Sequence, residues 1–296
     1  EAESVNTAQP KRKVRKVDPY QVLLTIFVVV LTVFAALPLV YLVCSAFKPL
    51  DEILRFPPLF IVQKPTLRNF KALVLSLSST SVPFLRYAFN SLLVTVITVA
   101  LSVVLCSMGA DGLVKHRPAG ARWVMNLVIG ALMFSPYVTQ IPNYLINIRL
   151  GLNNSYWALI LPKVAAAYNF FLMERFMGQI PDSILEAARI DGAKERMVFW
   201  RIVMPMLKPA WSTLIVFAFI SSWNDAFSPL VYISSQAMKT LPLALQTIAG
   251  GTGVTDLGRM GATMAAALIT TLPTVLVFVF MQGNVTKTMA FSGIKG

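Results

Sequence analysis

The sequence contains little charge and few groups that could carry out chemistry. Charged residues make up 13% of the 296 positions, about half the share expected of a soluble domain. With one histidine and two cysteines, the chain has too few nitrogen and sulfur ligands for a typical zinc site. The phosphate-binding pattern GxxxxGK followed by Ser or Thr does not occur in it. We therefore expect no metal site, no catalytic residue and no cofactor held by this chain.

Apolar residues dominate instead. They account for 56% of the chain, above the roughly 45–50% that is usual in soluble domains. The net charge of +13 would indicate nucleic acid as the partner of a soluble protein. Here, however, Lys and Arg stand beside long apolar runs, where such residues set membrane orientation. The composition therefore predicts an all-α polytopic membrane protein that contacts lipid and no nucleic acid.

Six apolar runs are candidates for membrane crossing. We expect transmembrane helices at residues 20–47, 89–108, 123–147, 156–177, 210–233 and 261–282. The first run is longer than the core of a cleaved leader, and prolines are expected to interrupt the outer end of the third. These spans divide the chain into a basic tail (1–19), a first helix (20–47), an extracytoplasmic loop (48–86), a core of five helices (87–283) and a second tail (284–296). An even number of spans places both tails on one side, and the distribution of Lys and Arg favours the cytoplasm.

One hydrophilic stretch, residues 180–205, interrupts the core. Ser183 precedes Glu186 by three residues, which is the spacing of a helix capping box. Gly192 then permits a sharp turn, and Pro205 is expected to end a second helix. The sequence therefore predicts a helix-turn-helix outside the bilayer, on the cytoplasmic side.

The same stretch carries a spaced motif: Glu-Ala-Ala, three residues, Gly, nine residues, then Ile-x-Met-Pro. It resembles the EAA loop in the permease subunits of bacterial ABC importers. Leucine is usual in that family where Met204 stands, and the two side chains are similar in volume. The family's loop is a coupling helix that docks into a groove on a cytoplasmic ATPase. The resemblance implies this coupling role for Glu186, Ala187, Ala188, Asp191, Gly192, Ile202 and Pro205. The alternative is an ordinary amphipathic cytoplasmic loop.

Two further stretches resemble the carbohydrate importers of this family. Trp-Asn-Asp at 223–225 resembles a sequence common in carbohydrate-uptake permeases, and residues 289–296 resemble a tail that reaches between the ATPases. The second likeness implies tail contacts by Gly293, Lys295 and Gly296. The family's fold is that of a type I (MetI-like) importer permease in the bacterial cytoplasmic (inner) membrane.

The resemblance also implies partners and a mechanism. The partners are a second, different permease that forms a heterodimer with this chain, two ABC ATPases that bind ATP and Mg, an extracytoplasmic solute-binding protein and a sugar. The mechanism is alternating access, in which closure of the ATPases opens the path outward. The sequence does not name the sugar.

Polar residues inside spans are costly in hydrocarbon, so they are candidates for the substrate path. An indole face stacks on sugar rings, and amide and carboxylate groups bond hydroxyls. Trp223, Asn224 and Asp225 therefore form the first candidate group, although Asn224 and Asp225 could instead tie helices together. Lys163 points either into the path or outward. Further candidates are Gln140, Asn143, Tyr144, Asn147, Tyr168 and Asn169.

Other functions stay open at this point. The EAA motif does not encode substrate, so an ABC permease for a non-sugar solute is one alternative. A carrier driven by an ion gradient is another, and it would need intramembrane acids, of which Asp225 is the obvious example. A membrane-embedded enzyme is disfavoured because the spans contain no paired His or carboxylate motifs. The mixed charge of residues 180–205 is more typical of a docking or solvated surface than of an acid-base site.

Overall fold

The structure is a computed structural model that describes residues 19–78, 82–249 and 255–293. All regular elements within these ranges are helical, which confirms the predicted all-α class. The α-helices are α1 (Pro19–Phe47), α2 (Leu50–Ile53), α3 (Arg68–Ser78), α4 (Phe84–Val114), α5 (Ala121–Leu132), α6 (Pro136–Arg149), α7 (Trp157–Val164), α8 (Ala167–Met177), α9 (Asp182–Ile190), α10 (Glu195–Val198), α11 (Met204–Met206), α12 (Lys208–Trp223), α13 (Phe227–Tyr232), α14 (Leu241–Ala249) and α15 (Thr255–Gly293). A π-helical turn, Phe199–Val203, joins α10 to α11, and a 3-10 turn, Gln236–Met238, precedes α14.

Three helices are long and apolar enough to cross a membrane: α1, α4 and the Arg259–Val285 part of α15. Two bent pairs pass the same test when each pair is taken together, α5 with α6 at 114° and Glu195–Met206 with α12 at 76°. The described residues thus contain three to five candidate spans, and the expected count of six is not confirmed. The difference arises at residues 156–177, where two short helices, α7 and α8, replace one continuous span.

The interruptions lie beside proline residues. Ser135 has the extended dihedral angles φ −65° and ψ 138°, as expected of a residue before proline, and Pro136 begins α6. The predicted interruption of the third span is therefore confirmed. Between α7 and α8, Ala166 has ψ 123°, so the backbone leaves the helical path shortly after Pro162. Such breaks free backbone groups that protein or water must satisfy at membrane depth.

Helix α4 lies at the centre of the described structure. It contributes Cys106 to an apolar cluster with α8 and α12, Tyr87 to one with α14 and α15, and Val94 to one with α7. Its buried face also carries the small polar residues Ser91, Thr95, Thr98, Ser102 and Ser107. Small side chains of this kind let helices approach closely inside a membrane.

Several helix ends differ from those expected. α12 ends at Trp223 and α13 is separate, so residues 210–233 do not form one continuous helix. The expected loop at 234–260 contains α14, which packs on α15. α15 itself continues to Gly293, past the expected end of the last span near Gln282. Hydrophobicity predicts where a segment leaves the membrane, but the helix itself can continue into water for as long as its residues tolerate a helical backbone.

Helix α1 stands largely apart from the bundle. Side chains at 19–40 are all exposed, whereas Ser45 and Ala46 near its carboxyl end are buried against α15 and α3. An apolar helix with so much exposed surface must face lipid or another membrane chain.

Candidate functional site

The first candidate region is the hydrophilic stretch 180–205, called the knuckle below. Its first helix, α9, ends in two backbone hydrogen bonds of 3.0 Å, from the Gly192 N–H to the Arg189 carbonyl and from the Ala193 N–H to the Ala188 carbonyl. These are the two bonds of a Schellman motif. Gly192 has φ +82°, a left-handed conformation that glycine adopts at little cost. The predicted turn at Gly192 is therefore confirmed.

The predicted capping box is wrong. The N-cap of α9 is Pro181 and no side chain caps it, because Ser183 already lies inside the helix. The residue after α4 holds this end instead: Lys115 Nζ donates to the Ile180 carbonyl at 2.5 Å and lies 2.7 Å from Asp182 Oδ1. The hydrogen bond from Lys115 holds the pKa of Asp182 below its ordinary value. This contact ties the knuckle to the end of α4.

The second helix of the knuckle ends at Met206, one residue after the predicted Pro205, and the chain then bends by 76° into α12. α10 passes into the π-helical turn, and Pro205 lies within the short α11. Proline has no N–H, and its ring clashes with the carbonyl four residues earlier in a regular α-helix. The wider π turn relieves this conflict, since the Met204 N–H bonds to the Phe199 carbonyl five residues back. Ile202 lies in this turn, half-buried against the apolar core.

Apolar contacts fix the inner face of the knuckle to the membrane helices. Leu185, Val198 and Val203 are buried in one cluster with Ala110 of α4 and Met177 of α8. Full burial of side chains of this size stabilises by about 1.5–3 kcal/mol each. A displacement of the knuckle would therefore act directly on α4 and α8.

The opposite face of the knuckle is exposed. Its uncovered residues are Glu186, Ala187, Ile190, Asp191 and Gly192, with Ala188 half-buried. Ile190 is 85% exposed, which is unusual for an isoleucine on a folded surface. Behind this tip, two nitrogens of Arg189 lie 2.7 and 3.2 Å from the Glu195 carboxylate, and the hydrogen bond lowers the pKa of Glu195. The bidentate pair links the end of α9 to the start of α10 across the turn.

The second candidate region is a cleft among the membrane helices, called the polar cleft below. It has a volume of about 560 Å³ and is bordered by α4, α5, α6, α7, α8 and α12. Its polar side chains are Thr98, Thr139, Lys163, Tyr168, Asn169 and Ser221. Both helix breaks open onto it, because Pro136 and Ala166 line it. The cleft therefore offers hydroxyl, amide and ammonium groups to a polar ligand.

The polar cleft contains part of the predicted path. Three predicted residues line it: Lys163, Tyr168 and Asn169. Four others from the third span are not among its lining residues: Gln140, Asn143, Tyr144 and Asn147, the last of which is buried. Tyr144 stacks instead on Tyr232 of α13, with 6.1 Å between ring centroids. α6 therefore turns its Pro136 and Thr139 to the cleft and presents its later residues elsewhere.

Reasoning from sequence did not find Thr98, Thr139 or Ser221. A signal existed for Thr98, since it shares the buried polar face of α4 with Thr95 and Ser102 at helical spacing. No comparable pattern marks Ser221 or Thr139. Their place in the cleft follows from the rotation of α12 and α6 within the bundle.

Trp223 acts as a packing residue. Its side chain is buried, its Nε1–H donates to the Thr270 carbonyl of α15 at 3.0 Å, and its ring stacks on Phe219 at 5.7 Å. Neither face of the indole is therefore free in this conformation to stack on a sugar. Asn224 is exposed and donates Nδ2–H to the Ile220 carbonyl at 3.1 Å. It lines a separate cleft of about 340 Å³ beside α14 and α15.

Asp225 forms an ion pair with Lys163. The Lys163 Nζ lies 2.5 Å from Asp225 Oδ2, and the Ser228 N–H donates to Asp225 Oδ1 at 3.0 Å. This pair joins α7 to the connection between α12 and α13. Lys163 therefore points inward, at the wall of the polar cleft. Its charge is balanced by Asp225.

The predicted tail contacts fall at the limit of the described residues. Gly293 is the last residue of α15, whereas Lys295 and Gly296 lie outside the described ranges.

Comparisons with known proteins find relatives along nearly the whole chain. Residues 11–290 match the family described as "Binding-protein-dependent transport system inner membrane component". The chain is 32% identical over 270 residues to Protein LplC of Bacillus subtilis, an alignment that covers 88% of this chain and 89% of that protein. It is 27% identical over 277 residues to the arabinooligosaccharides transport system permease protein AraQ of Bacillus subtilis, with 94% and 96% covered.

A solved structure shares the fold. A chain from the crystal structure of a bacterial ABC transporter involved in the import of the acidic polysaccharide alginate superposes with a TM-score of 0.77. The two chains are 21% identical, and the likeness covers 89% of this chain and 95% of that one. At this identity the likeness concerns the fold alone.

Proposed function

Because this chain belongs to the family of binding-protein-dependent transport system inner membrane components, we propose that it is the permease subunit of an ATP-driven importer that moves a sugar or oligosaccharide into the cytoplasm. The resemblance drawn from the EAA motif and the importer-permease fold are confirmed by the family match and the structural likeness. The relative named for arabinooligosaccharide transport supports a carbohydrate as the substrate. The proposed site of action is the bacterial cytoplasmic membrane, which this multi-pass chain crosses with both termini inside.

The geometry of the knuckle is the observation that carries the proposal. Its motif residues Glu186, Ala187 and Gly192 lie on an exposed tip with Ile190, while its inner face is buried against α4 and α8. We infer that an ATPase subunit binds this tip, with the apolar side chain of Ile190 entering its groove. A second ATPase binds the corresponding loop of a different permease, which pairs with this chain as a heterodimer. ATP and Mg belong to the ATPases.

The polar cleft is the proposed part of the substrate path in this chain. Its hydroxyl and amide groups, on Thr98, Tyr168, Asn169 and Ser221, suit a ligand rich in hydroxyls. Two of its walls are broken helices, which can change angle at their breaks. In the proposed cycle, ATP binding closes the ATPases, the knuckles move together, and the path opens to receive sugar from an extracytoplasmic binding protein. To shift the two access states from 1:99 to 99:1, ATP must favour the outward state by about 5.5 kcal/mol.

The alternatives receive less support. A carrier driven by an ion gradient would need an acid that is free to take up the ion, and Asp225 is already paired with Lys163 at 2.5 Å. The described part of the chain offers no group of three or more His, Cys, Asp or Glu that could hold a metal ion. An ABC permease for a different polar solute stays the closest competing function, because the cleft chemistry favours hydroxyl-bonding ligands without specifying a ring.

Co-purification tests the proposal most directly. The tagged chain is extracted from its native membrane in mild detergent, and proteins that co-elute in stoichiometric amounts are identified by mass spectrometry. We expect an ATPase with a phosphate-binding GxxxxGK motif and a second permease with an EAA motif. A matched preparation of the Ile190→Asp variant should retain the second permease and lose the ATPase, because a carboxylate at the tip would lose its water on entering the groove without a paired charge.

Recovery of the wild-type chain alone, under conditions that keep a control ABC complex intact, would contradict the proposal. Sugar identity is then tested by the stimulation of ATP hydrolysis in the purified complex, using a panel of neutral and acidic oligosaccharides. Stimulation by a non-sugar solute and by no oligosaccharide in the panel would support the competing ABC permease.

A further inference from the structure

The loop that follows α2 carries an uncovered apolar patch. Its members are Leu54, Phe56, Phe60 and Ile61, and we call them the loop patch. Phe56 is 93% exposed and Ile61 is 78% exposed. Exposure of two large apolar side chains this close together is costly in water, so the patch requires a partner.

The patch sits on a loop that is held in place by buried polar groups. Glu52 is buried, and its carboxylate accepts hydrogen bonds from the N–H groups of Gln63 at 3.1 Å and Lys64 at 2.9 Å. Lys48 is also buried, and its Nζ donates to the Leu59 carbonyl. These bonds tie Leu59, Gln63 and Lys64 back to the buried charges of Lys48 and Glu52, and so close the loop that contains the patch. The exposure of the patch is therefore built into the fold of the loop.

The same contacts turn the loop back alongside α1. The ring of Phe60 packs edge-on against the ring of Tyr41 at 5.4 Å between centroids, and Lys48 Nζ lies 5.0 Å from the centre of the Tyr41 ring. Tyr41 lies six residues before Phe47, the last residue of α1, which corresponds to about 9 Å along a helix axis. Phe60, one of the four residues of the loop patch, therefore lies at the depth of the final turns of α1 and not beyond its end.

We propose that the loop patch inserts into the lipid leaflet at the carboxyl end of α1 and anchors that end of the helix at the interface. The apolar surface of α1, exposed from residues 19 to 40, adjoins the loop patch where Phe60 contacts Tyr41. Exposed Arg55 and Lys64 flank the patch, in the position where cations meet lipid phosphates. This inference needs only that α1 spans the membrane, and it stands apart from the proposed transport function.

Fluorescent labelling of single cysteines tests the insertion. In a full-length chain with Cys44→Ala and Cys106→Ala, one cysteine is placed by Phe56→Cys, by Ile61→Cys or by Gln63→Cys, and labelled with bimane. The membrane complex is then placed in nanodiscs of phosphatidylethanolamine and phosphatidylglycerol. Labels at 56 and 61 should show blue-shifted emission, strong quenching by nitroxide-bearing lipid and little quenching by aqueous iodide. The label at 63, exposed on the same loop, should show the reverse pattern and serves as the matched control.

Two results would overturn the proposal. If labels at 56 and 61 respond to iodide as strongly as the label at 63, the patch faces water. If they are shielded from both quenchers, a protein surface covers the patch and the lipid assignment is wrong. Because Phe56 and Ile61 are exposed, neither substitution should disturb folding, and the yield of monodisperse protein checks this.

Discussion

The knuckle and the polar cleft each contain a close ion pair, but the two pairs differ in their surroundings. Arg189 and Glu195 in the knuckle are 40% and 57% exposed, whereas Lys163 and Asp225 beside the cleft are 18% and 14% exposed. Water screens the first pair, so it adds little stability. The second pair has lost most of its water, so each charge depends on the other. The stability of the knuckle therefore depends mainly on the shape of its turn. The stability of the cleft wall depends on the balance between the charges of Lys163 and Asp225.

The largest expected effect comes from breaking the less exposed pair. Asp225→Ala leaves the Lys163 ammonium without its partner, and we expect a loss of about 3–5 kcal/mol in unfolding free energy. The double variant Lys163→Ala with Asp225→Ala should recover most of this loss, since no charge is then left unpaired. Denaturant unfolding of the purified chains in detergent measures both, with Glu195→Ala as the exposed-pair control that should resemble wild type. Equal losses in the single and double variants would show that the pair does not stabilise the bundle.

The next effect concerns the shape of the knuckle. Gly192 has φ +82°, and a Cβ added there would meet no atom within 4 Å. Gly192→Val therefore adds no clash within the chain, but a β-branched residue in this conformation costs about 1–2 kcal/mol or changes the turn. We expect membrane insertion to be retained and sugar uptake to be lost.

Gly192→Asn is the matched control for this prediction, because asparagine tolerates the left-handed conformation. It should retain uptake. Immunoblots of membrane fractions measure insertion, and uptake is measured in the same cells. Normal uptake by Gly192→Val would contradict a coupling role for the turn.

A smaller effect distinguishes the polar cleft from its surroundings. Asn169 lines the cleft, whereas Asn224 lines the separate cleft beside α14. Loss of one hydrogen bond to the sugar is worth about 0.5–1.5 kcal/mol, so Asn169→Ala should raise the half-saturating sugar concentration about two- to tenfold. Asn224→Ala should leave it unchanged. The reverse result would move the substrate path to the Trp-Asn-Asp segment predicted first from the sequence.

The smallest effect is a dependence on pH. Hydrogen bonds from Lys115 and Arg189 lower the pKa values of Asp182 and Glu195 from their ordinary 3.8 and 4.5. A carboxylate whose pKa is lower in the folded chain than in the unfolded chain stabilises the knuckle at any pH above its ordinary pKa. This stabilisation is lost as the pH falls through the lowered pKa of the folded chain. Amide hydrogen exchange of the knuckle, corrected for intrinsic rates, should therefore be faster below about pH 4 than at pH 6. A chain with Asp182→Asn and Glu195→Gln should lack this difference, and an unchanged difference would exclude these carboxylates as its cause.

Predictions from the sequence succeeded where a local chemical rule operates. The turn at Gly192 and the interruption at Pro136 depend on backbone preferences of single residues, and both were found. The capping box at Ser183 failed, although it also rests on a local rule, and the helix end predicted at Pro205 falls one residue later, at Met206. Lys115 holds the start of α9 in place of a capping side chain, and a π turn accommodates the proline in the last turn of the second helix.

Site residues were harder to predict because their roles depend on partners far along the chain. Nothing near Trp223 in the sequence indicates that its indole nitrogen bonds to Thr270. Similarly, Thr139 lines the polar cleft while Gln140 beside it does not. A helix turns by about 100° per residue, so membership of a cleft depends on an orientation that composition does not specify.

The sequence by itself determined the helical membrane class, the family and the position of the knuckle, because hydrophobic length, motif spacing and glycine conformation are local properties. The tertiary structure alone decided that Lys163 meets Asp225, that Trp223 packs away from the polar cleft and that the loop patch returns beside α1. The physical reason is that these contacts join segments distant in sequence. Their geometry follows from how the helices rotate and pack, and that packing is a property of the whole chain.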